Sequence, residues 1–253
     1  MPDLAALSTP ALIAVALIVF GAATVKGVAG LGFPLISVPL VANIIGPHAA
    51  VVIIAVPTVA SNLFMVAQGG GSVARLRQLG WLIAGLIAGT AVGARLLRDI
   101  HPGVLAVILG VIGVVYAGAS LIRVPLRLPA SPRPALSLGV GASAGLLGGA
   151  TTIYAPLVAA YVDGLRLAKD EFVFWVTALF LIGTVIQVLT YAQAGIYRGG
   201  LLGIALLLCL PMLVGTWIGI RVRDRLAPER FRILVLMLVL LSGLNLIVRA
   251  LWR

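Results

Sequence analysis

Apolar runs long enough to cross a bilayer recur from one end of this 253-residue chain to the other. Crossing about 30 Å of hydrocarbon takes roughly 20 apolar residues in a helix. Stretches of that order occupy residues 10–45, 49–67, 79–97, 104–122, 135–162, 171–194, 200–220 and 231–251. Hydrophobic residues make up 62% of the chain and charged ones only 10%, where a soluble domain carries about a quarter charged. That is too little polar material for the shell of a soluble bundle. The pattern predicts an all-α polytopic membrane protein, multi-pass and surrounded by membrane lipids.

The formal net charge of +11 comes from 18 Lys and Arg against 7 acidic residues. Nucleic-acid binding needs such charge collected on one soluble face. Here it sits between the apolar runs, where arginines report topology and touch anionic headgroups, so nucleic acid is excluded as a partner. Cys209 is the only cysteine, which rules out an internal disulfide or a cysteine metal cluster. Before the first apolar run there is no Lys or Arg, only Asp3, and the run continues past any cleavage site. The first segment therefore reads as retained rather than cleaved.

The runs fall four and four about residues 123–134, a linker with three arginines and four prolines. Residues 1–122 and 135–253 read as two homologous halves. Gly89-Thr90-x-x-Gly93-x-Arg95 returns as Gly215-Thr216-x-x-Gly219-x-Arg221, with Pro102 and Pro228 at the same offset; Gly32 with Pro39-Leu40-Val41 returns as Gly149 with Pro156-Leu157-Val158.

Each half opens with a segment too long for one straight crossing, followed by three transmembrane helices. Glycines and proline break the first segment at KGVAGLGFP (26–34) and the second at GLLGGATT (145–152). Such residues form helix poorly, and in hydrocarbon the freed backbone groups need protein or a wet cavity as partner. About a dozen residues follow the first break, which at ~1.5 Å each is half a membrane. A bent or re-entrant hairpin fits better than a full span. If both broken segments crossed, the loops would hold 8 Lys and Arg on one side and 9 on the other. If both return to their starting side, the split becomes 12 against 5. The positive-inside rule selects the second arrangement. It puts both termini outside the cytoplasm and orients the halves oppositely, as inverted repeats.

Half-helix ends near the membrane midplane suit an anion, through unpaired N–H groups and positive dipole ends. The first break offers Lys26, Gly27, Gly30, Gly32 and Phe33. The second offers Gly148, Gly149, Thr151, Thr152 and Tyr154, with Ser143 upstream. Lys26 within an apolar stretch is a functional candidate, although a lysine near a helix end can also snorkel to the headgroups. Asn62, beside Ser61, and Gln187, near Thr184, sit at similar depths after each break. Amides there are costly unless paired, so pairing between helices competes with substrate contact. Gly85, Gly89 and Gly93, like Gly215 and Gly219, read as close helix packing.

Gly141-Ala142-Ser143-Ala144-Gly145 fits the G-x-S-x-G pattern of acyl-transfer serines. The only histidines, His48 and His101, lie at loops in the other half, and no strand precedes the serine. An enzyme is not expected, nor is a cofactor or a metal centre. Asp3, Asp99, Asp163, Asp170, Asp224 and Glu229 fall at loops or helix ends, and Glu171 opens a helix. Without a carboxylate at mid-membrane depth, any coupling would use loop-proximal groups, a histidine or the anion itself.

The glycine-rich break followed by proline and an apolar helix, its return in the second half, and the GTxxGxR…P segments resemble the sulfite exporter TauE/SafE family over nearly the whole chain. That resemblance implies an inner-membrane permease for sulfite, an organosulfonate or another small organic anion. The expected mechanism is alternating access around the two broken helices, with anion oxygens held by half-helix N–H groups, Lys26 and hydroxyls near Thr151. Ser143 stands where a lysine matching Lys26 would fall, which argues against a symmetric lysine pair. A passive anion channel and a non-transporting membrane scaffold are the rival readings, and a homo-oligomer is compatible with all three.

Overall fold

One short 3-10 helix (Arg77–Leu79) and eleven α-helices appear among residues 8–30, 32–69, 71, 77–122, 134–197, 200–222 and 228–252, which the computed structural model describes. In chain order they are α1 (Thr9–Ala29), α2 (Phe33–Ile45), α3 (Pro47–Ala67), α4 (Gly80–Leu96), α5 (Pro102–Leu121), α6 (Pro134–Thr151), α7 (Ala155–Asp163), α8 (Lys169–Gln193), α9 (Leu201–Leu207), α10 (Cys209–Val222) and α11 (Pro228–Leu251). There is no strand among the described residues. The 123–134 linker lies outside them except for Pro134, which opens α6.

Helices α1, α3, α5 and α8 and the α9–α10 pair are each long and apolar enough to span a membrane. Large apolar side chains stay exposed along these helices, among them Leu17, Leu63, Val115, Leu189 and Leu210. Lipid is the solvent that tolerates such surfaces. The chain is an all-α polytopic membrane protein. Several charges suit the helix dipoles: Asp170 and Glu171 sit in the first turn of α8, and Arg221 and Arg249 in the last turns of α10 and α11.

Most boundaries follow local chemistry. Pro102 enters α5 at its first turn, where the missing N–H costs nothing, and the His101 Nδ1 caps Gly103 N–H at 3.2 Å. The 200–220 run, read as one span, is interrupted at Leu208. Pro211 explains the interruption, since its nitrogen cannot bond to the Leu207 carbonyl and its ring crowds that oxygen.

The chain divides into two compact units that interleave its sequence halves: residues 1–57, 100–125 and 197–253, and residues 58–99 and 126–196. In the second unit, α4 lies along α6 with glycine against backbone in both directions. A Cβ on Gly85, Gly89 or Gly93 would strike the carbonyl of Leu138, Ala142 or Leu146. One on Gly141, Gly145 or Gly149 would strike that of Leu82, Leu86 or Thr90. Contact numbers rise together along both helices, so the pair is parallel. Close approach without bulky side chains is how membrane helices gain dispersion energy.

The first unit repeats this device with the other copy of the motif. Gly215 and Gly219 of α10 meet the carbonyls of Phe20 and Thr24 of α1, again in parallel, and Gly27 meets Thr216 and Gly219. In the same unit α5 and α11 touch through Gly110 and Gly243. There Gly110 faces Gly243 and Ile247 while Gly113 faces Val239 and Gly243, so this pair runs antiparallel.

Candidate functional site

Both expected interruptions exist, and both are shorter than the glycine content implies. Helix α1 continues through Lys26 and Gly27 to Ala29, and α6 continues through Gly145, Gly148 and Gly149 to Thr151. These glycines stay helical because neighbouring backbone or rings fill the space a side chain would take, offsetting the ~1 kcal/mol that glycine costs in a helix. The real breaks fall at Gly30 and Gly32 and at residues 152–154.

At the first break, in the first unit, Gly30 and Gly32 adopt φ of 83° and 105°. This left-handed backbone is cheap only without a Cβ. Gly30 N–H closes α1 on the Lys26 carbonyl at 2.7 Å, and Gly32 precedes Phe33 and Pro34, which begin α2. Phe33 is fully buried, and its carbonyl accepts from the Ser37 hydroxyl at 2.7 Å. Lys26, in the last turn of α1, is 1% exposed and is the only buried charged side chain among the described residues. Snorkelling is therefore ruled out, because a snorkelling lysine keeps its ammonium in the headgroups. Gly27 is committed to packing against α10.

The second break lies in the second unit, and its chain direction is settled by one bond. Ser137 Oγ, in the first turn of α6, and Tyr161 OH, near the end of α7, are 2.7 Å apart and buried, though 24 residues separate them. From Ser137 to the break α6 climbs about 21 Å at ~1.5 Å per residue. Tyr161 can reach back only if α7 folds down alongside α6. The segment is a hairpin.

Thr152 turns the corner at φ 64°, a left-handed value unfavourable for a β-branched residue. What over-determines it is a buried network centred on Gln187 of α8. The Gln187 Nε2 lies 3.2 Å from the Gly148 carbonyl, 3.1 Å from that of Gly149, 3.0 Å from Thr152 Oγ1 and 2.8 Å from Tyr191 OH. Its Oε1 accepts from Tyr154 OH at 3.3 Å, and Tyr191 OH donates to the Gly149 carbonyl at 2.7 Å. The Tyr154 ring is wedged between Gly148 and Gly183, with the Thr90 hydroxyl beside its own. Thr151 is turned inward on its own helix end, donating to the Leu147 carbonyl at 2.7 Å and accepting from Ile153 N–H at 3.2 Å.

The structure thus gathers Gly148, Gly149, Thr152, Tyr154 and Gln187 into one constellation with Thr151 adjoining. Ser143 is not part of it, being exposed on α6. Asn62 is fully buried in α3 of the same unit. Lys26, Gly27, Gly30, Gly32 and Phe33 belong to the first unit. Sequence reading missed Tyr191, although it stands four residues after Gln187 and so on the same helix face. It also missed Thr90, absorbed into a packing motif, and Trp175. The buried Ser61 Oγ and Trp175 Nε1 have no hydrogen-bond partner and are spare donors in the second unit.

Comparison with curated proteins and with solved structures gives no match. The description "Sulfite exporter TauE/SafE" matches residues 15–246. Nearly the whole of the chain, including both breaks and both copies of the glycine motif, lies inside that match. The chain belongs to the sulfite exporter TauE/SafE family, a family of membrane permeases rather than enzymes.

Proposed function

We propose that this permease moves a small anion, such as sulfite, an organosulfonate or a small carboxylate, across the cytoplasmic membrane by alternating access, with the helix breaks as its working parts. The observation that carries this reading is Lys26, a buried cation in the last turn before a helix break. None of Asp99, Asp163, Asp170 and Glu171 is buried. Burying charge in a membrane protein is expensive and marks function; an interior with a cation and no buried carboxylate among the described residues favours a negative solute. Ser61 and Trp175 add uncommitted donors of the kind anion oxygens accept.

We further read the two halves as inverted repeats with both termini outside the cytoplasm. The α6–α7 hairpin and the antiparallel packing of α5 on α11 support this. These two helices occupy equivalent places in the halves, and equivalent helices of oppositely oriented repeats run in opposite directions.

The test is flux into proteoliposomes with sulfite, sulfonates and small carboxylates. Lys26→Ala is expected to lower flux of the true substrate roughly tenfold or more, the equivalent of one charge-assisted hydrogen bond. Unchanged flux would remove Lys26 from the site. Accelerated exchange of labelled substrate when unlabelled substrate is present on the far side is expected of alternating access; a passive channel lacks it, and a scaffold carries no anion at all.

A further inference from the structure

Helix α2 is flanked by two glycines that packing does not require. Gly32 and Gly46 have φ of 105° and 88°. A Cβ on Gly46 would meet nothing within 4 Å, and one on Gly32 only the Ile36 Cδ1 at 3.8 Å. By contrast, a Cβ on Gly27 of α1 would lie 2.4 Å from the Thr216 carbonyl oxygen. Gly32 and Gly46 serve for their backbone conformation, which only glycine adopts cheaply. Such residues at the ends of an element are where it can pivot. Pro47 loosens the second pivot further, because its nitrogen has no hydrogen for the Asn43 carbonyl and the helical bond from residue 47 to residue 43 is missing.

Polar contacts fasten the end of α2 to α11. Asn43 Nδ2 donates to Ser242 Oγ at 2.8 Å and lies 3.3 Å from the Ser242 carbonyl. Asn245 Nδ2 donates to Asn43 Oδ1 at 2.5 Å. The Arg249 guanidinium donates to the Asn43 carbonyl at 3.3 Å, the oxygen that Pro47 cannot serve. It stands at the negative end of the α2 dipole. Asn245 and Arg249 are exposed. These contacts also fix where α2 points. Helix α1 is parallel to α10, so it begins on the face where the α9–α10 span begins. Residues 223–227 are too few to recross a bilayer, so α11 returns and ends on that same face. Asn43 meets the last turns of α11 there, so α2 comes back to the face from which α1 set out.

We propose that α2 is a gate on that face of the membrane, swinging on Gly32 and Gly46, and that Asn43, Ser242, Asn245 and Arg249 are the latch that holds it against α11. The inference rests on the anion-permease reading above. Gates of this kind open and close once per transport cycle, so their contacts must be exchangeable. The exposed bonds of Asn245 and Arg249 meet that need, since water can replace each of them at little net cost. The buried Gln187 network at the second break gives water no such access. Arg249 further ties the latch to the solute. An anion arriving at this face offers the guanidinium a charge-assisted partner stronger than the neutral Asn43 carbonyl, so the substrate itself loosens the latch. With no substrate present, the guanidinium stays on the carbonyl and α2 stays shut.

The test makes the latch covalent in the full-length protein. In a Cys209→Ala background, Asn43→Cys and Asn245→Cys are bridged by a short bis-maleimide, whose thioether links survive sulfite. Flux of sulfite, methanesulfonate and acetate into proteoliposomes is then compared with that of the unbridged pair and of each single-cysteine variant treated alike. The bridged pair should lose most of its flux while the others keep theirs. Full flux through the bridged pair overturns the gate and leaves the permease standing. Wild-type protein that carries none of the three anions sinks the permease reading instead. A second measurement needs no cysteine pair and is independent of how much protein folds. It is the ratio of exchange, with unlabelled anion on the far side, to net flux without it. Arg249→Ala frees the empty gate to open, so net flux should rise relative to exchange and the ratio should fall. Arg249→Lys, which keeps a cationic donor, should restore it. A merely structural role for Arg249 leaves the ratio unchanged in both variants, and that result overturns the latch.

Discussion

Tyr154 carries more of the second break than its single hydrogen bond indicates. Its ring fills the notch that Gly148 and Gly183 leave open, lies 6.3 Å from the Phe180 ring, and holds its hydroxyl against Gln187. The two contributions separate by mutation. Tyr154→Phe keeps the packing and forfeits one buried hydrogen bond, an expected loss of about 1 kcal/mol. Gly183→Ala puts a methyl within 2.7 Å of the Tyr154 ring, and overpacking of that kind costs about 1–3 kcal/mol. Thermal unfolding in detergent should therefore rank the glycine variant as the less stable. The reverse order would make the hydroxyl, rather than the fit of the ring, the main support of the break. Gln187 was recognisable in the sequence as a costly amide in hydrocarbon. That its partners are backbone carbonyls was not, because no side chain announces a carbonyl freed by a helix end.

At the scale of elements, the glycine stripes decide which helices touch. Gly139 and Gly141 lie two residues apart on α6 and make the point by contrast. A Cβ at Gly139 meets nothing within 4 Å, whereas one at Gly141 strikes the Leu82 carbonyl. Gly139→Ala should be neutral or stabilising by up to ~1 kcal/mol through helix propensity. Gly141→Ala should push α4 and α6 apart at a cost of about 1–3 kcal/mol. Equal melting temperatures for the two would show that the parallel α4–α6 contact contributes little. The stripes were readable as packing surfaces from their spacing alone. Their partners were not: each motif helix lies against the opening helix of the other half. The same stripes misled about the breaks, since glycines that seemed to interrupt α6 instead let it run on against α4.

For the whole molecule, the inverted-repeat proposal sets which way each helix runs through the membrane. With both broken segments returning to their starting side, Ile122 and Trp252 lie on opposite faces; if both crossed fully, the two would share a face. Each is well exposed, at 74% and 88%. In a Cys209→Ala background, Ile122→Cys should resist a membrane-impermeant maleimide added to intact cells, while Trp252→Cys reacts. Labelling of both from outside would undo the inverted-repeat reading and the placement of the arginine-rich loops with it.

Hydropathy and length alone determined that this chain is a multi-pass helical membrane protein, because a continuous apolar run of about 20 residues satisfies its own backbone in lipid only as a helix. Local glycine and proline chemistry determined that two of its segments are interrupted, and spacing predicted a repeat. Tertiary structure alone decided where the interruptions fall and what they contain. A glycine is a breaker or a contact according to whether another backbone lies against it, and that depends on a helix from the opposite half of the chain. The carbonyl cluster around Gln187 likewise exists only once α8 lies against the end of α6. Backbone oxygens are the same in every sequence, and only their convergence gives Gln187 its partners.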